Sequence, residues 1–201
     1  ANFSDHGSNR LGGNGVANST VYGGIAGDVM GAEAKGALKD IDENVLKAEI
    51  ARAMAPLGKP SGNIHALRRK LMDVMWDDVG VLRTKIGIER GMAGLADIRA
   101  ELAETRIDGS NLAFNLTWHD WLNVQSLVEM SEVIAEASLS RENSRGAHYR
   151  EDFTDTGDLD TSYFTVARQT NAGLTVERQP VEFTIVRPGE TILKEPQEAA
   201  Q

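Results

Sequence analysis

The sequence predicts a mainly α-helical fold: a bundle of three to four helices, preceded by a glycine-rich segment and followed by a small antiparallel β region. Three observations carry this. Apolar residues recur at helical spacing from Leu46 to Leu139, with only short breaks. Nine of the twenty glycines fall before Asp40, so the opening differs in character from the rest. Alternation of apolar and polar side chains, the mark of strands, appears only beyond Arg145.

From Asn14 to Val29, small residues are interspersed with Val16, Val21, Ile25 and Val29, which predicts a helix able to pack closely against a sheet or a cofactor. No strand-rich region elsewhere supplies that sheet. The next helix carries Leu46, Ile50, Ala53, Met54 and Leu57, with Asp42 as its cap and Pro56, Gly58 and Pro60 as its stop. Ile64, Leu67, Leu71, Val74 and Met75 form a second stripe, entered from Ser61 or Asn63. A third holds Ile88, Met92, Leu95, Ile98 and Leu102 and ends before Asp108-Gly109. The fourth, predicted the longest, holds Val124, Leu127, Val128, Ile134, Ala135 and Leu139. Short breaks between them predict antiparallel neighbours. Asp152 to Asp160 reads as a loop. Tyr163–Gln169 and Leu174–Arg178 flank Asn171-Ala172-Gly173 as a hairpin. Val181, Phe183 and Ile185 read as a further strand, interrupted by Pro180, and a polar tail follows from Pro188.

A chain of 201 residues makes one large domain or two small ones. Its net charge of −9 argues against a nucleic-acid partner, because binding phosphates needs a basic surface. The absence of cysteine removes disulfides, thiolate metal sites and cysteine-held clusters from within the chain. No run approaches the ~20 apolar residues of a membrane span, and no signal peptide is visible. The chain begins at Ala1, which fits either removal of an initiator methionine or a start within something larger.

Arg10 lies inside a glycine-dense turn that runs into the first helix. Backbone donors at a helix start attract anions, and a guanidinium adds a forked donor suited to carboxylate or phosphate. The competing reading is an arginine bonded to loop carbonyls, and the residues alone weigh the two about equally. The second cluster, Arg145 to Asp152, would bind an anion, hold an interface or simply form a salt-bridged corner. Trp118-His119-Asp120-Trp121 reads as an anchor for the fourth helix rather than an aromatic box. Asp77 and Asp78, about 100° apart around a helix, do not make a metal pair. Arg68-Arg69-Lys70 reads as a solvated face, and no nucleophilic triad or zinc spacing stands out.

Three segments together resemble the flavoprotein subunit of succinate dehydrogenase and fumarate reductase, a family that includes L-aspartate oxidase. The first is His6-Gly7-Ser8-Asn9-Arg10-Leu11-Gly12-Gly13-Asn14, close to the family's His-Gly-Ala-Asn-Arg-Leu-Gly-x-Asn-Ser-Leu. The second is Met75-Trp76-Asp77-Asp78-Val79-Gly80-Val81-Leu82-Arg83-Thr84. The third is Ser144-Arg145-Gly146-Ala147-His148-Tyr149-Arg150-Glu151-Asp152-Phe153. Each is weak alone; in register over essentially the whole chain they are specific.

The resemblance implies hydride transfer between a dicarboxylate and FAD. It makes Arg10 the clamp on a substrate carboxylate, with Asn14, Gly15 and Val16 as the turn whose amides face the flavin's pyrimidine edge. Arg145, His148 and Arg150 become interface or structural residues that fix docking rather than perform chemistry. Gly15-Val16 stands where many relatives have Ser-Leu, so backbone contacts survive the change and a hydroxyl contact does not. Asp5 stands where relatives have an apolar residue. The family's G-x-G-x-x-G, its flavin-carrying histidine and its capping domain have no counterpart here. The chain thus looks like the C-terminal third of such a subunit. Residues 1–40 would be the edge of the FAD-binding domain, 41–150 the helical bundle and 151–201 a loop with a small hairpin tail.

Its implied partners are the remaining N-terminal flavoprotein part, a dicarboxylate and, where the enzyme has one, an iron–sulfur subunit. The implied location is cytoplasmic, or at the inner face of a membrane through partner subunits. Alone, the chain is expected neither to hold FAD tightly nor to turn over succinate. The rival readings are a non-catalytic helical scaffold and an independent anion-binding domain built on Arg10.

Overall fold

The computed structural model describes residues 13–36 and 40–191. Helix α1 (Asn14–Glu33) opens the chain, followed by α2 (Glu43–Met54) and a two-residue strand β1 (Leu57–Gly58). Helix α3 (Ile64–Asp77), strand β2 (Leu82–Arg83), helix α4 (Lys85–Glu104) and strand β3 (Ile107–Asp108) come next. The longest helix, α5 (Leu116–Ser140), precedes β4 (Tyr149–Arg150) and the hairpin strands β5 (Tyr163–Thr170) and β6 (Gly173–Pro180).

Each helix starts where its sequence supplies an acceptor for orphan amides. Asp42 accepts from the Asn44 amide, and Asn63 from those of His65 and Ala66. Thr84 accepts from the Gly87 amide and Asn115 from that of Trp118. The α1 start is the exception: Gly13 occupies its cap position with φ +85° and has no side chain to cap it.

The core lies between α3, α4 and α5. Ile64, Leu67 and Leu71 face Ile88, Leu95, Ile98 and Leu102, and Trp121, Val124, Val128 and Ala135 close the third side. Each such side chain, fully buried, contributes about 1.5–3 kcal/mol. Helix α4 approaches α3 and the turn after it closely because it presents glycine where they meet. A Cβ on Gly91 would lie 2.8 Å from Val79 Cγ2, and one on Gly94 would lie 3.2 Å from Val74 Cγ2.

A short parallel pair fastens each end of the bundle. At the end where α3 begins and α4 finishes, β1 pairs with β3, placing Leu57 opposite Ile107. At the other end β2 pairs with β4, placing Arg83 opposite Arg150. The hairpin packs on the end of α5. Arg141 and Arg178 both lie over the Tyr163 ring, 4.9 Å and 4.8 Å from its centroid, a cation–π contribution from each. Arg178 also donates to the Ser140 carbonyl, and Arg141 to Thr165 Oγ1.

The mainly α fold with a small antiparallel β pair is as predicted, and three details differ. The apolar stripe of α2 is not core: none of its residues is buried, and Leu46 and Ile50 face solvent. On α5 the buried stripe runs through Val124, Val128, Ser131, Ala135 and Ser138, leaving Leu127 and Ile134 outside. Val181, Phe183 and Ile185 form no strand. The ladder closes at Tyr163 opposite Pro180, whose missing N–H ends the pattern, and the Val181 amide donates to the Ser162 carbonyl. Among the described residues no helix is long and apolar enough to cross a membrane.

Candidate functional site

Arg10, the residue with the strongest chemical signal in the sequence, lies outside the described residues, as do His6 and Asn9. The structure shows the turn's last residue and the helix that follows. The Gly13 carbonyl accepts from the amides of Val16 and Ala17 at 3.0 and 3.1 Å, which fixes the first turn of α1. A Cβ built on Gly13 would meet nothing within 4 Å, so the backbone there is approachable. Gly15 is half-buried and Val16 is 73% exposed. The hydroxyls of Ser19 and Thr20 bond back to the carbonyls of Gly15 and Val16. An uncapped helix start beside open glycine backbone suits a flat, electron-rich ring edge that needs amide donors at close range. The residues from Gly13 to Val16 therefore fit the group the resemblance implies; of the Asn14 side chain nothing is described.

Arg145, His148 and Arg150 come together at the far end of α5, on a turn in which Arg145 and His148 exchange both backbone hydrogen bonds across Gly146 (φ +61°). Arg145 clasps the acidic loop. Its Nε donates to the Thr156 carbonyl at 2.5 Å, Nη2 to the Asp158 carbonyl at 2.6 Å and Nη1 to Ser162 Oγ at 2.9 Å. His148 is half-buried, with Nε2 3.4 Å from the Arg141 carbonyl. Arg150 is 1% exposed. Its Nε and Nη2 meet the two oxygens of Asp152, each at 2.8 Å, and Nη1 reaches the carbonyls of Ser138, Leu139 and Arg141. These carbonyls sit at the end of α5, where helix polarity favours a cation. As the chain stands, the Arg150 guanidinium is bonded wholly inside it.

The charges respond accordingly. The Arg150 guanidinium beside Asp152, helped by the Lys85 amide 2.7 Å away, holds that carboxyl down to about 2. Burial pushes the His148 imidazole below its ordinary value, and the cations of Arg83, Arg141 and Arg150 add to this. Burial also lowers Arg83, with Arg150 alongside.

The remaining candidates resolve as structure. Trp118 and Trp121 pack into the bundle while His119 stays exposed, and Trp118 Nε1 donates to the Ala53 carbonyl at 2.7 Å. Asp78 pairs with Arg90, across the close α3–α4 contact. Arg141, Arg178 and Tyr163 form a contact that sequence reading missed, because their partners are distant along the chain. The described residues contain no group of acids and histidines able to hold a metal.

A family model for the fumarate reductase flavoprotein C-terminal region matches residues 68–193. Among curated relatives, an FAD-dependent oxidoreductase of Methanocaldococcus jannaschii is 31% identical over 155 residues, covering 75% of this chain and 27% of that protein. The fumarate reductase flavoprotein subunit of Haemophilus influenzae is 26% identical over 204 residues, covering 97% and 34%. L-aspartate oxidase 1 of Ralstonia nicotianae is 32% identical over 164 residues, covering 75% and 26%. A solved quinol fumarate reductase of E. coli superposes with a TM-score of 0.79 at 25% identity, over 90% of this chain and 32% of that one. The chain thus spans about a quarter to a third of the length of the proteins it matches. With the model match covering more than half its residues and the bundle superposing on the same region, the chain belongs to the succinate dehydrogenase and fumarate reductase flavoprotein family, as its C-terminal part.

Proposed function

We propose that this chain is the C-terminal third of an FAD-dependent flavoprotein that transfers hydride between a dicarboxylate and its flavin. The observation that carries the reading is the start of α1: an uncapped helix on open glycine backbone, with none of its described side chains buried, in a chain of this family. When bound, FAD supplies the hydride chemistry. Asn14, Gly15 and Val16 would hold it through their backbone, facing its pyrimidine edge. Arg10 would bind one substrate carboxylate and so orient the reacting carbon, a positional contribution that converts an encounter into a defined approach. The forked guanidinium suits this because it fixes direction as well as charge.

The partners on this reading are the preceding flavoprotein part, a dicarboxylate and an iron–sulfur subunit, with attachment to the inner face of a membrane through other subunits. Arg145, His148 and Arg150 keep the end of α5 and the following loop in the shape that docking requires. The sequence has no G-x-G-x-x-G to hold the adenosine end of FAD, so the isolated chain is expected to leave gel filtration colourless; a flavin band that survives would overturn this. In the complete polypeptide, Arg10→Ala is expected to retain flavin absorbance while succinate turnover falls by about a hundredfold or more. Unchanged turnover would refute the role of Arg10.

A further inference from the structure

Phe114 is 99% exposed, and its φ is +59°. Left-handed backbone is costly for a bulky aromatic residue, and a phenyl ring left in water adds a second cost. A side chain this exposed packs on nothing that would offset either. The conformation is imposed by the loop around it. Ser110 donates twice to the Asp108 carboxylate, the Ala113 amide donates to Asn111 Oδ1, and Asn115 Nδ2 reaches the carbonyls of Asp108 and Asn111. Gly109 lies so close to Leu57 that a Cβ there would come within 3.0 Å of it. The result is a braced loop that holds Phe114 outward, with Leu112 and Leu116, its near neighbours in sequence, exposed as well. Beside the ring is an open depression edged by Pro60, Asn111 and Thr117.

The position of this loop in the chain identifies its occupant. It adjoins the β1–β3 pair, and Trp118, just inside α5, bonds to the Ala53 carbonyl next to the end of α2. The exposed stripe of α2, Leu46, Ile50 and Met54, therefore approaches the same end of the bundle. Helix α2 follows α1 after a short connection, and α1 too buries none of its described side chains. The unburied apolar surface is thus continuous, along the chain, with the segment assigned above to the flavin edge. The Haemophilus relative matches this chain over 34% of its length, which leaves about two-thirds of a flavoprotein to cover that surface.

We propose that Phe114 is the anchor through which the helical bundle seats on the part of the flavoprotein that precedes residue 1, its ring entering an apolar pocket there with Leu112 and Leu116 around it. This rests on the reading above that such a part exists. A central aromatic ring on a rigid support, ringed by weaker contacts, is the arrangement that dominates the energy of protein interfaces.

The chain contains no cysteine, so Phe114→Cys introduces one thiol whose alkylation can be read peptide by peptide. Maleimide is expected to label it rapidly in the 201-residue chain and at least about tenfold more slowly in the complete polypeptide carrying its upstream part. Trp76→Cys, at the other end of α3 and 77% exposed in the parent, is the control. A position 114 thiol that stays equally reactive in the complete polypeptide overturns the proposal. So does protection that appears only when a separate subunit is added, or only on raising the concentration of the short chain, which would mean a second copy. Phe114→Gly supplies an independent readout: it relieves the positive φ, so the thermal midpoint of the short chain is expected to hold or rise, whereas that of the complete polypeptide falls. A midpoint that drops in the short chain would make Phe114 a residue of the bundle itself and sink the anchor. Flavin content and succinate turnover of the parent complete polypeptide report separately on the reading the anchor rests on.

Discussion

At the scale of single residues, Arg150 and Asp152 set the energetics of the C-terminal turn. Arg150 is buried and every nitrogen of its guanidinium has an acceptor, so Arg150→Ala strands three carbonyls and one carboxylate. The expected cost is about 2–4 kcal/mol, measured as a lowered urea midpoint. Arg150→Lys should recover only part of it, since an ammonium cannot match both carboxylate oxygens in a plane. Because Asp152 titrates at about 2 when folded, below the ~3.9 of an unfolded aspartate, its contribution is complete above about pH 4 and drains as pH falls toward 2. Asp152→Asn is therefore expected to be less stable than the parent at pH 6 and to converge with it near pH 2. Equal gaps at both pH values would count against the pairing. Sequence reading found Arg150 and Asp152 as members of one basic and acidic cluster. It did not find which acceptors they use, because the α5 carbonyls and the Lys85 amide are brought there by folding.

Among the elements, α4 owes its fit against α3 to two glycines with different tolerances. Gly91→Ala drives a methyl into Val79 Cγ2 and Asp78 Cβ, stiff neighbours that cannot yield cheaply, and is expected to cost about 1–3 kcal/mol despite the gain in helix propensity. Gly94→Ala meets only Val74, at 3.2 Å, and should lower the thermal midpoint by clearly less. The helices themselves were legible in the sequence because their evidence is local: a period of 3.6 residues, with Asp42 and Asn63 read as starts, whereas the caps Thr84 and Asn115 came only with the structure. The pairs β1–β3 and β2–β4 were not legible, since two residues carry no period and their partners lie about fifty or more residues away. The strand expected at Val181 to Ile185 had the right alternation but no edge to join. The stripe of α2 shows the converse, an amphipathic pattern that no surface among the described residues covers.

For the molecule as a whole, the contrast is between a packed α3–α4–α5 bundle and two leading helices with no fully buried side chain among their described residues. Local stability should follow that division. Amides of α1 and α2 are expected to exchange with deuterium fast in the 201-residue chain and to become protected in the complete polypeptide, while those around Leu95 and Val128 stay slow in both. Slow exchange of α1 in the short chain would show that it has found a cover within these 201 residues. The proposed flavin turn stands out in the sequence as a glycine-dense segment around Arg10, of which the described residues include only Gly13 onward. Phe114 was not singled out, because a lone aromatic residue between Ala113 and Asn115 gives no sign of which way it will face.

Asp152 accepts from Arg150 and also from the Lys85 amide, so one ion pair joins the carbonyl end of α5 to the amide end of α4. That seam has a mechanical corollary. Under tension applied at the C-terminus, the hairpin can peel from α5 contact by contact. Extension past residue 150 must break the carboxylate and carbonyl bonds together, so a pulling trace would pause there and then release in one rip.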